Sequence, residues 1–237
     1  MDSPYLVFWL EAPLQSWGHD SRFNRRDTLP FPTKSAVLGM VCAAMGAGGK
    51  QKELLARFAP LDMQIHAYVR TDTKGNPVQR EPLLRDYQMV GSGYDDKDPW
   101  QTLCIPKKSD GSKAVGGGTK MTYRYYLQDM AFAVFFQTPQ DIVEPIVKAM
   151  QEPVRDVYLG RKCCAPTEFI CQGHHDSLEG AWETATALAE KKGRAFCFRV
   201  VQGERDGEVI ILNDVPIQFG EHKQYRERAV TVQYWQD

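Results

Sequence analysis

Tyr5-Leu6-Val7-Phe8-Trp9-Leu10 is the stretch on which the fold turns. Its residues alternate between Tyr5/Val7/Trp9 and Leu6/Phe8/Leu10, and both sets are apolar. A strand exposed on one face would alternate apolar with polar, so this one is predicted to lie inside a sheet with a layer packed on each side. Ala131 to Phe136 repeats the pattern and predicts a second strand of the same kind.

Between these two strands the chain reads as helix, helix, strand and a long excursion. Pro32-Thr33-Lys34-Ser35 opens a helix over 36–45, with Thr33 as its cap and Gly46 as its stop. A short helix near 52–58 leads to a strand over 63–70. From about 76 to 123 no period survives. Pro82, Pro99, Pro106 and Gly116-Gly117-Gly118 interrupt it, and a run this long without structure inside a domain is usually functional or disordered. After the second buried strand, Ile142, Val143, Ile146, Val147 and Met150 recur at helical spacing, with Pro145 near the start. A Gly/Cys/Pro-rich loop, a helix over 178–191 and strands near 195–201, 208–212 and 229–234 follow.

This order predicts an α+β fold, a ferredoxin-like βαββαβ unit whose first and third strands are central. Residues 1–152 are expected to form that domain, with the excursion inside it. Residues 153–237 are expected to form a smaller β-rich lobe.

With 43% hydrophobic and 25% charged residues, the composition is that of a soluble globular protein. The longest apolar runs fall short of the ~20 residues a membrane span requires. No export signal opens the chain, so a cytoplasmic location and reduced thiols for its six cysteines are the expectation. The net charge of −1 conceals an asymmetry. Lys107, Lys108, Lys113, Lys120 and Arg124 face only Asp110 over their stretch, whereas residues 139–190 hold nine acids and four bases. The first segment suits a polyanion.

Two regions are candidates for a nucleic-acid site. In the excursion, Lys and Arg would neutralise phosphates while Tyr94, Trp100, Tyr123, Tyr125 and Tyr126 offer stacking faces. At the helix start, free N–H groups with Lys34 and Ser35 would bind an anion, helped by Arg22, Arg25 and Arg26 just upstream. The competing readings are a solvated loop and an ordinary capped helix. Cys163, Cys164, Cys171, His174 and His175 raise the question of zinc, but paired CxxC knuckles are missing, and packed thiols with surface histidines are the expectation. No cofactor or metal is expected. No G-x-S-x-G, P-loop or HExxH occurs, and the histidines pair with no evident nucleophile.

Several of these residues carry a resemblance. Leu14-Gln15-Ser16-Trp17-Gly18 after the first strand and Phe31-Pro32-Thr33-Lys34-Ser35-Ala36-Val37-Leu38-Gly39 are similar to the N-terminal signature of the CRISPR Cas-five family. Leu84-Arg85-Asp86-Tyr87, Tyr123-Arg124-Tyr125-Tyr126-Leu127 and Tyr158-Leu159-Gly160-Arg161-Lys162-Cys163-Cys164 resemble its CasD branch, from type I-E Cascade. The resemblance implies a RAMP-type ferredoxin-like domain with a thumb at about 84–126. It implies a non-catalytic subunit that holds the 5′ handle of the CRISPR RNA and packs against backbone and large subunits, meeting target DNA through the complex. By the same resemblance, Gln15, Trp17, Arg26, Lys34 and Ser35 would line the handle pocket. Arg85 and Tyr87 would sit at one side of the thumb base and Tyr123 and Arg124 at the other. Lys107, Lys108 and Lys120 belong to the thumb, and Arg161 and Lys162 would touch phosphate. Two other classes stay open: a metal-independent endoribonuclease, as in type I-C relatives, and a protein-interaction module whose basic loop takes an acidic partner.

Overall fold

The computed structural model describes residues 3–18, 24–90, 95, 97–103, 107–108, 110–112 and 120–234, without the side chains of Val90, Leu103 and Lys120. In chain order the elements are β1 (Tyr5–Glu11), β2 (Leu14–Gln15), β3 (Arg25–Arg26), α1 (Lys34–Ala44), α2 (Lys52–Phe58), β4 (Met63–Arg70), β5 (Leu84–Val90), α3 (Pro99–Leu103), β6 (Lys120–Gln128) and β7 (Ala131–Gln137). A 3-10 turn, Gln140–Ile142, then leads into α4 (Val143–Gln151), β8 (Cys171–His175), α5 (Leu178–Lys191), β9 (Arg194–Gln202), β10 (Glu208–Gln218) and β11 (Gln224–Tyr234).

One seven-stranded sheet runs β10-β11-β9-β4-β7-β1-β8, with every neighbouring pair antiparallel. β1 and β7 lie in its interior, in register from Tyr5 opposite Gln137 to Glu11 opposite Ala131. Their double apolar faces have a direct cause. Leu6, Phe8, Leu10, Phe132, Val134 and Phe136 pack into a large core with Val37, Leu38, Val41 and Ile146 of α1 and α4. Val7, Trp9, Ala131, Ala133 and Phe135 face the other way, against Ala181, Ala185 and Ala189 of α5. Those alanines recur every fourth residue, and their small side chains let α5 lie close over the large rings of Trp9 and Phe135.

The β-rich last third does not stand apart as a lobe. β9 pairs with β4 from Ile65 opposite Val200 to Arg70 opposite Arg194, so the break expected after residue 152 does not divide the sheet. β4 would otherwise present an open edge beside a large apolar core, and the C-terminal strands close it. A second bond reaches further. The Asp214 carboxylate accepts from the backbone N–H of Lys34 at 2.7 Å and holds Arg228 bidentately at 2.7 and 2.9 Å. The first turn of α1 is thus tied to β10 and β11.

The excursion also differs from expectation. Leu84 to Val90 and Lys120 to Gln128 form an antiparallel ribbon, β5 against β6, whose register runs from Leu84 opposite Tyr126 to Val90 opposite Lys120. β2 pairs with β6 antiparallel, and β3 pairs with it in parallel. The segment Cys171–His175, read as loop, pairs with β1 as an edge strand.

Candidate nucleic-acid interface

The motifs picked out of the sequence converge on the base of the ribbon, and most of them fasten it there. Ser16 N–H donates to the Leu159 carbonyl at 3.1 Å, and its hydroxyl to that of Tyr125 at 3.3 Å. Gly160, at φ +99°, lies so close that a Cβ would overlap the Ser16 carbonyl oxygen. Arg161 donates to the carbonyls of Tyr125 (3.2 Å) and Arg26 (2.9 Å) while its guanidinium lies 4.5 Å from the Tyr126 ring centroid. Loop 158–164, strand β3 and ribbon strand β6 are therefore one joint.

Three expected RNA contacts are placed inside the protein by this geometry. Gln15 is fully buried and donates to the Leu10 and Met130 carbonyls, at 3.2 and 2.6 Å. Trp17 is fully buried in the main core, where its ring is worth more as packing than as a stacking face. Lys34 is fully buried too. Its ammonium donates to the carbonyls of Leu61 (2.6 Å) and Ala59 (3.3 Å), and burial, aided by nearby Arg228, pulls its pKa down to about 8. The N-terminus of α1 is occupied by Thr33, whose hydroxyl caps Ala36 N–H at 3.2 Å, and by Asp214, so the expected anion site there is already filled by the protein itself. Arg161 is engaged as well, its two terminal nitrogens each donating to a backbone carbonyl.

The ribbon places the remaining residues differently. Cross-strand partners share a face, so Arg85, Tyr87 and Met89 on β5 stand beside Tyr125, Tyr123 and Met121 on β6. This face is open: Tyr87 is 47% exposed, Met89 58%, Met121 44% and Tyr123 36%. The Tyr87 and Tyr123 rings lie 5.2 Å apart at 40°. Arg85 sits 5.9 Å over Tyr123, and Arg25, from β3, sits 4.9 Å over Tyr125 while also paired with Asp27. Aromatic faces interleaved with guanidinium groups form a surface on which unpaired bases can stack beside neutralised phosphates. The opposite face carries Asp86, Gln88, Thr122, Arg124 and Arg26 and is the one on which Arg161 rests.

Lys107, Lys108 and Lys162 are exposed. Arg22, Tyr94 and Lys113 lie outside the described residues, as does the side chain of Lys120. Ser35 lies at a second feature, a groove of about 400 Å³ along α1 with a floor of Ala36, Gly39 and Ala43 and a rim bearing Arg155, Lys223 and Tyr225. Small floor residues admit a backbone closely, and the cations suit phosphate. Gly18 lines the same groove, and the chain from it leads to β3 on the ribbon. Arg155, Lys223 and Tyr225 were missed in the sequence, although the basic and aromatic run His222-Lys223-Gln224-Tyr225-Arg226 was a readable signal.

Cys163 and Cys164 belong to the joint, where the Cys163 thiol lies 3.5 Å from the Tyr126 hydroxyl, whereas Cys171, His174 and His175 belong to edge strand β8. Among the described residues, no three His, Cys, Asp or Glu side chains are grouped to hold a metal ion, and no helix is long and apolar enough to cross a membrane.

The family model described as CRISPR-associated protein (Cas_Cas5) matches residues 5–231. The CRISPR system Cascade subunit CasD of Escherichia coli (strain K12) is 29% identical over 172 residues, covering 71% of this chain and 70% of that protein. A chain of a CRISPR RNA-guided surveillance complex shares the fold at TM-score 0.71 and 24% identity, over 97% of this chain and 89% of the other. A second solved structure, that of a Cas protein, aligns at TM-score 0.55 and 23% identity, over 97% of this chain and 93% of the other.

Proposed function

This chain belongs to the CRISPR-associated protein (Cas_Cas5) family, and from that premise we propose that it is the type I-E Cascade subunit that holds the 5′ handle of the CRISPR RNA without cutting it. β8-β1-β7-β4, with α1 and α4, is read as the RAMP-type ferredoxin-like unit, since its strand order is 4-1-3-2. The β5–β6 ribbon is read as the thumb. The observation that carries the reading is the open ribbon face, where the tilted rings of Tyr87 and Tyr123 lie beside Arg85 and Arg25. The α1 groove, with Ser35, Arg155 and Lys223, supplies a second run of phosphate contacts. Lys107, Lys108, Lys120 and exposed Trp100 extend the thumb toward the backbone subunit, while the large subunit docks nearby and target DNA is met through the assembled complex in the cytoplasm.

The non-catalytic part of the proposal is supported by the surroundings of three of the five histidines. His66 is buried among aromatic rings, His175 bonds Thr184 at 2.7 Å, and His174 lies 3.9 Å from Glu144. Sequencing the RNA that co-purifies with the chain tests the whole reading: handle-bearing CRISPR RNA is expected, and random cellular RNA would defeat it. Incubating repeat RNA with the chain in EDTA tests the non-catalytic part. Discrete products ending in a 2′,3′-cyclic phosphate would make the protein a nuclease.

A further inference from the structure

A cavity of about 840 Å³ opens beside α5, over the β4–β9–β11 part of the sheet, and it shares no lining residue with the ribbon face or the α1 groove. Its walls are aromatic: His66 and Tyr68 from β4, Trp182 from α5, Phe196 from β9 and Tyr234 from β11. The rings brace one another. His66 lies 5.4 Å from Trp182 and 5.2 Å from Phe196, the latter edge-on, and Phe196 meets Tyr68 edge-on at 6.1 Å. This is the size and lining of a site for a small ring compound.

Two polar atoms in the wall are unaccounted for. His66 is more than nine-tenths buried, and its Nε2 has no hydrogen-bond partner; Trp182 Nε1–H is likewise buried without an acceptor. Buried polar atoms are almost always paired, so two orphans beside one cavity point to a polar partner entering there. Charge then narrows the ligand. Arg194 is spent on Glu11 and the Asp129 carbonyl, Arg199 Nε is spent on Gln233, and Glu190 and Asp206 also line the cavity. Arg194 and Arg199 against Glu190 and Asp206 leave the lining with no net positive charge, which disfavours a phosphate. Burial and nearby Arg199 pull the His66 pKa down to about 4, so its ring too is neutral at pH 7. A hydrocarbon ring would leave both nitrogens unpaired, whereas a heteroaromatic ring carries acceptors and donors along one edge.

We infer that this cavity binds a neutral planar heteroaromatic group of nucleobase type, stacked among Trp182, Phe196 and Tyr234 and hydrogen-bonded by Trp182 Nε1–H and His66 Nε2. Because both nitrogens are shut from solvent as the rings stand, entry displaces the Trp182 indole, which lies on the half-buried flank of α5. The group is either a free nucleoside or one base of a single strand. The site stands independently of the ribbon's role.

The test uses the full chain, alone and within reconstituted Cascade, titrated with adenosine and with cytidine by ligand-observed NMR. Saturable binding with Kd on the order of 0.1–1 mM is expected for at least one of them. Trp182→Phe and His66→Leu, which keep an apolar body and remove the nitrogens, should each weaken it at least fivefold. Thr186→Trp, at an exposed position on the rim, should abolish it with the fold intact by circular dichroism. Displacement of the nucleoside by a short single-stranded oligonucleotide marks a strand as the source, and failure to displace it marks the free nucleoside. The inference is overturned if no nucleoside binds saturably, or if binding survives both Trp182→Phe and Thr186→Trp. It is also overturned if binding disappears on assembly of Cascade because a partner's side chain fills the cavity.

Discussion

Gly160 and Ser16 are in closer contact than any other side chain would permit: the α-carbon of Gly160 turns toward the Ser16 carbonyl oxygen at φ +99°, and a Cβ there would overlap that oxygen. Gly160 thereby lets loop 158–164 bond Ser16 through Leu159 while Arg161 reaches Tyr125 and Arg26. The orientation of the ribbon depends on this approach.

Gly160→Ala should therefore cost more than a simple left-handed alanine. Gly75, at φ +84° with open space where its Cβ would stand, is the matched control and should lose about 1 kcal/mol on conversion to alanine. Gly160→Ala adds a backbone clash and should lose roughly 3 kcal/mol or more, read from urea midpoints at constant slope.

Arg161→Lys keeps the charge and loses the fork that spans two carbonyls. Amide exchange in β6 around Tyr123–Tyr126 should speed up, while the sheet core around β1 and β7 keeps its protection. Unchanged exchange in β6 would show that the joint does not depend on Arg161.

On the ribbon, Tyr123→Ala and Tyr87→Ala should each weaken handle-RNA binding by about 1–3 kcal/mol, the worth of a stacked base. Both rings stand on the open ribbon face and pack on no core, so thermal stability should fall far less than RNA affinity. Arg25→Ala and Arg85→Ala should each lower the salt slope by about 1. Lys34→Met, by contrast, should leave RNA affinity untouched, and a loss there in a folded protein would contradict its burial.

Lys34 should instead shape stability on the alkaline side. Its folded pKa, about 8, lies below the ordinary value of 10.5, so between these the unfolded chain holds more protons. Stability from this residue must rise with pH across that window, by up to ~3 kcal/mol. Lys34→Met should remove the rise in denaturation curves taken at pH 7.5 and 9.5.

His66 gives the acid counterpart. Its folded pKa of about 4 lies below the ordinary 6.5, so its contribution is complete above 6.5 and is lost as pH falls toward 4. His66→Leu should flatten the stability profile between those values, and a profile as steep as wild type would show that other groups set it.

The sequence read well where one period dominated. The doubly apolar runs in β1 and β7 allow only an interior strand, and the helices over them follow from capping and spacing. It read poorly where partners were remote. Gln15, Trp17 and Lys34 look like donors and a platform until Met130, Leu61 and Asp214 are known to surround or bond them. The β5–β6 ribbon was hidden for a different reason: its face of Arg85, Tyr87 and Met89 packs on no core, so no burial imposes a period of two. The orphan nitrogens of His66 and Trp182 had no local signal at all, because only the sheet brings β4 beside the helix that follows β8.

The bond from Lys34 to Asp214 spans 180 residues, and its reach matters during synthesis. A ribosome releases α1 and β4 long before it delivers the carboxylate that quenches the first turn or the strand that seals β4. For most of translation the nascent chain carries a sticky flank and an unanswered amide. Prematurely terminated products would keep both, which makes them natural prey for chaperones and proteases and restricts assembly to finished chains.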